Sequence, residues 1–97
     1  MGKEQGLAAS ATIVRSQDVL SSRMGDEMVL MSISQGVYFG LNAIGTDIWE
    51  RLEHPMRVCD LCAGLAADYQ GDLAAIEHDT FDLLRRLEGR KLIVITS

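Results

Sequence analysis

The period of the hydrophobic pattern changes once along this chain, at Asn42, and that change limits the folds open to it. Before Asn42 the apolar residues alternate or run in short stretches, as strands do; after it they recur every three to four residues, as on helices. Strands come first and helices after, so the sequence predicts an α+β fold rather than a succession of βαβ units.

Three strands are expected in the front half. Val19 to Met24 is followed by the turn signal Gly25-Asp26, and Glu27 to Ile33 by Ser34-Gln35-Gly36. Val37 to Leu41 completes an antiparallel meander. In the middle strand Met28, Leu30 and Ser32 share one face, and Val29, Met31 and Ile33 the other. Two largely apolar faces place that strand at the centre of its sheet. The third strand puts Val37, Phe39 and Leu41 on one face and Tyr38 and Gly40 on the other. A further short strand over Thr12 to Arg15 is compatible with its pattern.

Three helices are expected in the back half. Asn42 is a suitable N-cap for the first, whose stripe is Ile44, Ile48, Trp49 and Leu52. His54-Pro55 ends it, because a residue before proline avoids the α region. The second runs from about Arg57 to Tyr69, with Val58, Leu61, Cys62, Leu65, Ala66 and Tyr69 toward the core. Gln70-Gly71 closes it, with Gly71 expected in the left-handed cap. Asp72 then caps a third helix to about Glu88, with Ile76, Thr80, Leu83, Leu84 and Leu87 inward and Phe81 off that stripe. Gly89 is expected to end it, and Leu92 to Ile95 to form a short strand or packed tail. Two helices joined by a short glycine-containing loop beside a small sheet suggest a winged helix-turn-helix arrangement.

The 97 residues allow one domain with one modest core. Residues 1–11 read as a flexible start without an apolar signal segment, and 12–97 as the folded domain. No apolar run approaches a membrane span, so the expected location is the cytoplasm. The net charge of −5 argues against phosphate-driven nucleic-acid binding. Arg85, Arg86, Arg90 and Lys91 cluster late in the third helix, where cations complement the helix dipole without any ligand.

Cys59 and Cys62 form a CxxC, which can share a metal or a redox disulfide. A structural zinc site needs four ligands, and there is no second CxxC; His54 and His78 fit no standard spacing. The motif also follows a helix and Pro55 instead of opening a helix after a strand. Packing is the reading favoured for both thiols, and no metal or cofactor is expected. No nucleophile with a positioned base and no phosphate-binding loop stands out, so the chain is read as non-enzymatic. What remains is recognition. Adjacent Tyr38 and Phe39 must face opposite ways, and Gly40 permits another backbone to come close. An edge strand of this kind can accept a guest strand. The same residues also suit a plain core-and-rim pair in which Gly40 relieves crowding.

The succession Asp18-Val19-Leu20, Asp26 to Leu30, Gly36-Val37-Tyr38-Phe39-Gly40-Leu41-Asn42, Gly45-Thr46-Asp47-Ile48-Trp49 and Val58-Cys59-Asp60-Leu61 resembles the PqqD-like family. Its tyrosine-aromatic-Gly-Leu-Asn segment is most similar to the stand-alone leader-recognition proteins of lasso-peptide clusters. The second helix departs from the common Thr-Val-x-Glu-Leu opening, with Arg57, Cys59 and Asp60 in that stretch. The resemblance implies that a precursor leader peptide adds as an antiparallel strand along Val37, Tyr38, Phe39, Gly40 and Leu41 and lies against the third helix. Phe81, Leu84 and Arg85 are the helix residues assigned to that contact, Arg85 for an acidic leader residue. The implied partners are the precursor, a leader peptidase and an asparagine-synthetase-like lasso cyclase, with the domain a monomer or weak homodimer. The alternative is peptide delivery to a radical SAM enzyme in the PQQ or a related pathway. A winged-helix DNA-binding regulator ranks behind both.

Overall fold

The computed structural model describes residues 9–96. It contains β1 (Thr12–Arg15), β2 (Val19–Met24), β3 (Glu27–Ser32), β4 (Val37–Leu41), α1 (Ala43–Arg51), β5 (Met56–Arg57), α2 (Val58–Tyr69), α3 (Leu73–Gly89) and β6 (Ile93–Thr96). The expected three-stranded meander is present in the order β2-β3-β4, and three helices follow it. A second antiparallel sheet, β5-β1-β6, joins the two ends of the described chain. The short strand at Thr12 and the packed tail are therefore partners of each other, a pairing that no local pattern announces. β5 has only two residues and carries no periodic signal.

Turn chemistry sets the meander's register. Gly25 lies at φ +67 in the two-residue turn that pairs Met24 with Glu27, a conformation open to glycine at little cost. Ile33 lies outside β3, but its N–H still donates to the Asp18 carbonyl at 3.2 Å. The Asp18 carboxylate accepts from the Ser34 N–H at 3.0 Å and from the hydroxyls of Ser34 and Ser32. The Ser34 hydroxyl and amide do most to hold that carboxyl below its ordinary range.

Helix ends show where local expectation held and where it failed. The Asn42 side chain accepts from the Gly45 N–H at 2.8 Å, as an N-cap should. Arg57 offers α2 no such cap, yet two of the donors there are satisfied by the preceding chain. Val58 N–H reaches the Ala11 carbonyl at 3.0 Å, and Cys59 N–H the Ala9 carbonyl at 2.9 Å. Ordered packing thus begins before Thr12, and Ala11 is buried; residues 1–8 lie outside the described chain. Asp72 occupies the N-cap position of α3 without a side-chain bond.

The left-handed residue after α2 is Gln70, not Gly71. Likewise Gly89 stays within α3, and Lys91 takes the left-handed position. Lys91 N–H bonds the Glu88 carbonyl and Leu92 N–H the Leu87 carbonyl, each at 2.9 Å, which is the Schellman pattern. Leu87 and Leu92 are both fully buried and supply its apolar contact.

The core gathers Ile13, Leu30, Ile48, Leu52, Val58, Leu61, Leu65, Leu84, Leu87 and Leu92 from both sheets, all three helices and the residues that follow α1 and α3. Arg15 ties β1 to α1, its guanidinium 4.6 Å from the Trp49 ring centroid and donating to the Trp49 carbonyl. Two residues expected inside are not. Ile44 is 52% exposed, and Tyr69 is turned outward with its hydroxyl donating to Asp47 at 2.6 Å. No helix among the described residues is long and apolar enough to cross a membrane.

Candidate functional site

The free edge of β4 can be read group by group. Because Ile33 turns its N–H to Asp18, alternation directs the backbone groups of Met31, Val29 and Glu27 toward β2. Those of Ser32, Leu30 and Met28 then point to β4, where their partners are Val37, Phe39 and Leu41. Tyr38 and Gly40 are left with N–H and C=O directed away from the sheet. Their side-chain side is also open: Tyr38 is 66% exposed, and a Cβ added at Gly40 would meet nothing within 4 Å. Phe39 and Leu41 turn inward, Leu41 into the core and Phe39 half-buried against it.

The end of α3 reaches this edge through Arg90, whose Nη1 donates to the Tyr38 carbonyl at 3.4 Å and whose guanidinium is 5.7 Å from the Phe39 ring centroid. Beyond Leu41 a cleft opens between α1 and α3 as a groove of about 410 Å³. Asn42, Ile44 and Ile48 line one wall, and Ile76, Leu83 and Arg86 the other. Asp79 and Asp82 stand on the α3 wall, and Arg86 pairs with Asp82 at 2.8 Å. At the far end Asp47, Arg51, Asp68 and Tyr69 form a polar cluster. Burial would raise the Asp47 carboxyl, but hydrogen bonds from Arg51 and Tyr69 outweigh it and hold the group down. The same Asp47 bond is the main reason the Tyr69 phenol is raised.

The α3 residues assigned from the sequence do not form this wall. Leu84 is fully buried in the core, so it offers nothing to a peptide. At about 100° per residue, Asp79, Leu83, Arg86 and Arg90 share one flank of the helix and Phe81 and Arg85 lie on the other. Phe81 is half-buried against the core from that other side, and Arg85 is exposed there. Sequence reasoning missed Arg90, Arg86, Leu83 and Ile44 as cleft residues. Ile44 was absorbed into the core stripe of α1, and the two arginines were explained by the helix dipole.

The thiols have a different environment from the cleft. Cys62 is buried and free, its thiol pushed up mainly by burial, and Cys59 is half-buried and free. No group of three or more His, Cys, Asp or Glu among the described residues could hold a metal ion. Among the described residues the cleft pairs no nucleophile with a base; it sets outward main-chain groups beside an apolar, charge-rimmed groove.

A small antiparallel sheet with a free edge strand beside a helix belongs to the class of folds whose edge can accept an added strand. Residues 27–93 match the family described as Coenzyme PQQ synthesis protein D (PqqD), and the chain belongs to the PqqD family. Among solved structures it is similar to TbiB1 in complex with the TbiA(beta) leader peptide. The identity is 36%, the match covers 82% of this chain and 93% of that one, and the TM-score is 0.76. No curated protein matches it.

Proposed function

We propose that this domain binds the leader segment of a precursor peptide by strand addition to β4 and delivers it to the enzymes that process it. The carrying observation is the pair of outward-facing backbone sets at Tyr38 and Gly40, on an edge that adjoins an apolar groove. Main-chain pairing at these two residues offers up to four hydrogen bonds, each contributing about 1 kcal/mol net. Side chains entering the groove would supply the selectivity that main-chain bonds lack. The likeness to TbiB1 bound to a leader peptide supports a leader as the guest.

An antiparallel guest runs from the Leu41 end toward the Val37 end. Its residues N-terminal to the paired segment then reach the groove walled by Ile44 and Leu83. Its C-terminal residues pass Arg90, which yields the Tyr38 carbonyl to the guest. Released, the Arg90 guanidinium is placed to meet an acidic residue there. This assigns to Arg90 the ionic contact that the sequence suggested for Arg85.

The recipients are a leader peptidase and an asparagine-synthetase-like cyclase, as in lasso-peptide maturation. The domain does no chemistry of its own in this reading. Tethering a flexible substrate raises its effective concentration at each enzyme. The family match alone would equally suit delivery to a radical SAM enzyme of PQQ synthesis; the resemblance of the Tyr38-Phe39-Gly40-Leu41-Asn42 segment to the lasso-peptide branch supports the lasso pathway. The test is titration of the domain with the synthetic leader, followed by fluorescence polarisation. Saturable binding that is lost on scrambling the leader is expected; equal binding of the scrambled peptide would refute leader recognition.

A further inference from the structure

Charge is spread unevenly along the path of a strand added to β4. Toward the Val37 end stands the exposed cation Arg90, over the Tyr38 carbonyl. Beyond Leu41 the balance reverses. Asp79 and Asp82 stand on the α3 wall of the groove, and Asp47 and Asp68 at its far end. Two guanidinium groups answer these four carboxylates, Arg86 pairing with Asp82 and Arg51 with Asp47 and Asp68. Asp79 is left over: it is exposed and makes no ion pair among the described residues.

Its place on the helix suits a cation with an apolar stem. Asp79 follows Ile76 by three residues and precedes Leu83 by four, so the three share one face of α3, and all line the groove. Ile44 stands on the opposite wall. A lysine or arginine can lay its methylenes along these apolar side chains and turn its charged end to the Asp79 carboxylate at the rim. An acidic residue entering here would meet an unpaired like charge. The N-termini of α1 and α3 also open near the groove, each equivalent to about half a positive charge, but that influence fades within the first turn. Asp79 lies in the second turn of α3, where its full charge prevails.

We infer that Asp79 makes the groove selective for a lysine or arginine placed N-terminal to the paired segment of the leader. The inference rests on antiparallel strand addition at β4, which sends the guest's N-terminal residues into the groove. With Arg90 at the other end, the site reads a leader that is basic before the paired segment and acidic after it. A guest laid parallel to β4 would meet both charges reversed, so the two residues together also fix strand direction.

The test is a charge swap, with the synthetic leader as the probe and fluorescence polarisation as the readout. Asp79→Asn should weaken the leader about two- to fivefold, as for one exposed ion pair, and Asp79→Lys about tenfold. A leader whose basic residue before the paired segment is replaced by glutamate should bind the wild-type domain about tenfold more weakly, and Asp79→Lys should recover most of that loss. Asp60→Asn, the same loss of charge in the first turn of α2 and outside the groove, should change affinity by no more than about twofold. Circular dichroism checks the fold of each variant, and Asp79→Asn carries the test if Asp79→Lys misfolds. Wild-type affinity in the Asp79 variants, or no recovery in the swapped pair, would overturn the inference. So would a tightly bound leader with no basic residue before its paired segment. Failure of the wild-type domain to bind leader, or undiminished binding by Gly40→Pro, would instead remove the strand-addition reading, and this inference with it.

Discussion

Arg90 at the end of α3 donates to the main-chain carbonyl of Tyr38 on the free edge of β4, 52 residues away. The carbonyl is one of the groups that a pairing strand would need. An arginine laid over an unpaired edge discourages promiscuous pairing, as charged groups on edge strands do generally. It can be displaced at small cost, since a single exposed contact is worth about 1 kcal/mol or less. The edge is thus protected without being closed.

Replacing Arg90 should therefore separate two effects. Arg90→Ala is expected to leave folding stability within about 0.5 kcal/mol, because the side chain is exposed. It should weaken an acidic leader and flatten the salt dependence of its binding. Affinities at low and high salt, for wild type and variant, check this; an unchanged salt dependence contradicts the assignment.

Gly40→Pro removes one outward donor and places a ring on the guest's path, while the β3 ladder uses only Val37, Phe39 and Leu41. Leader affinity should fall about tenfold or more, with the circular dichroism spectrum retained. Undiminished affinity in the folded variant would sink pairing at this edge.

The two flanks of α3 should respond differently. Leu83→Asp and Ile44→Asp, in the groove, are expected to weaken the leader about tenfold or more. Arg85→Ala should change its affinity by no more than about twofold. Leu84→Ala should act through the fold instead, at about 2–5 kcal/mol of stability, read by urea unfolding.

This is where the sequence was least legible. Its periods gave the β2-β3-β4 meander, all three helices and the opposite facing of Tyr38 and Phe39, though not which of the two turns inward. They could not give β1 pairing with β6, because Thr12 meets Thr96 only across the length of the chain. Nor could they choose the flank of α3. Helical phase tells which residues are inward, and Leu84 answered to that, but which outer flank meets β4 depends on how the helix crosses the sheet. Gln70 and Lys91 in left-handed positions beside available glycines show the same limit; at Lys91 the bonds from Lys91 and Leu92 that close α3 prevail over the residue's intrinsic preference.

Acid should loosen the β3–β4 turn. The folded Asp18 carboxyl sits below its ordinary value of 3.8, held there chiefly by Ser34. Its contribution to stability is fully present above that ordinary value and is lost as pH falls through the lowered folded value. Asp18→Asn should flatten this acid limb in urea unfolding measured from neutral pH downward. An identical limb in wild type and variant would contradict it.

The most direct test of strand addition is amide hydrogen exchange, residue by residue along β4, with and without the leader peptide. In the free domain Phe39 and Leu41 should already be protected by β3, and Tyr38 and Gly40 should exchange fast. On adding the leader, Tyr38 and Gly40 should become protected while Phe39 and Leu41 change little. Protection arising elsewhere, with Tyr38 and Gly40 still exchanging fast in the saturated complex, would contradict the account.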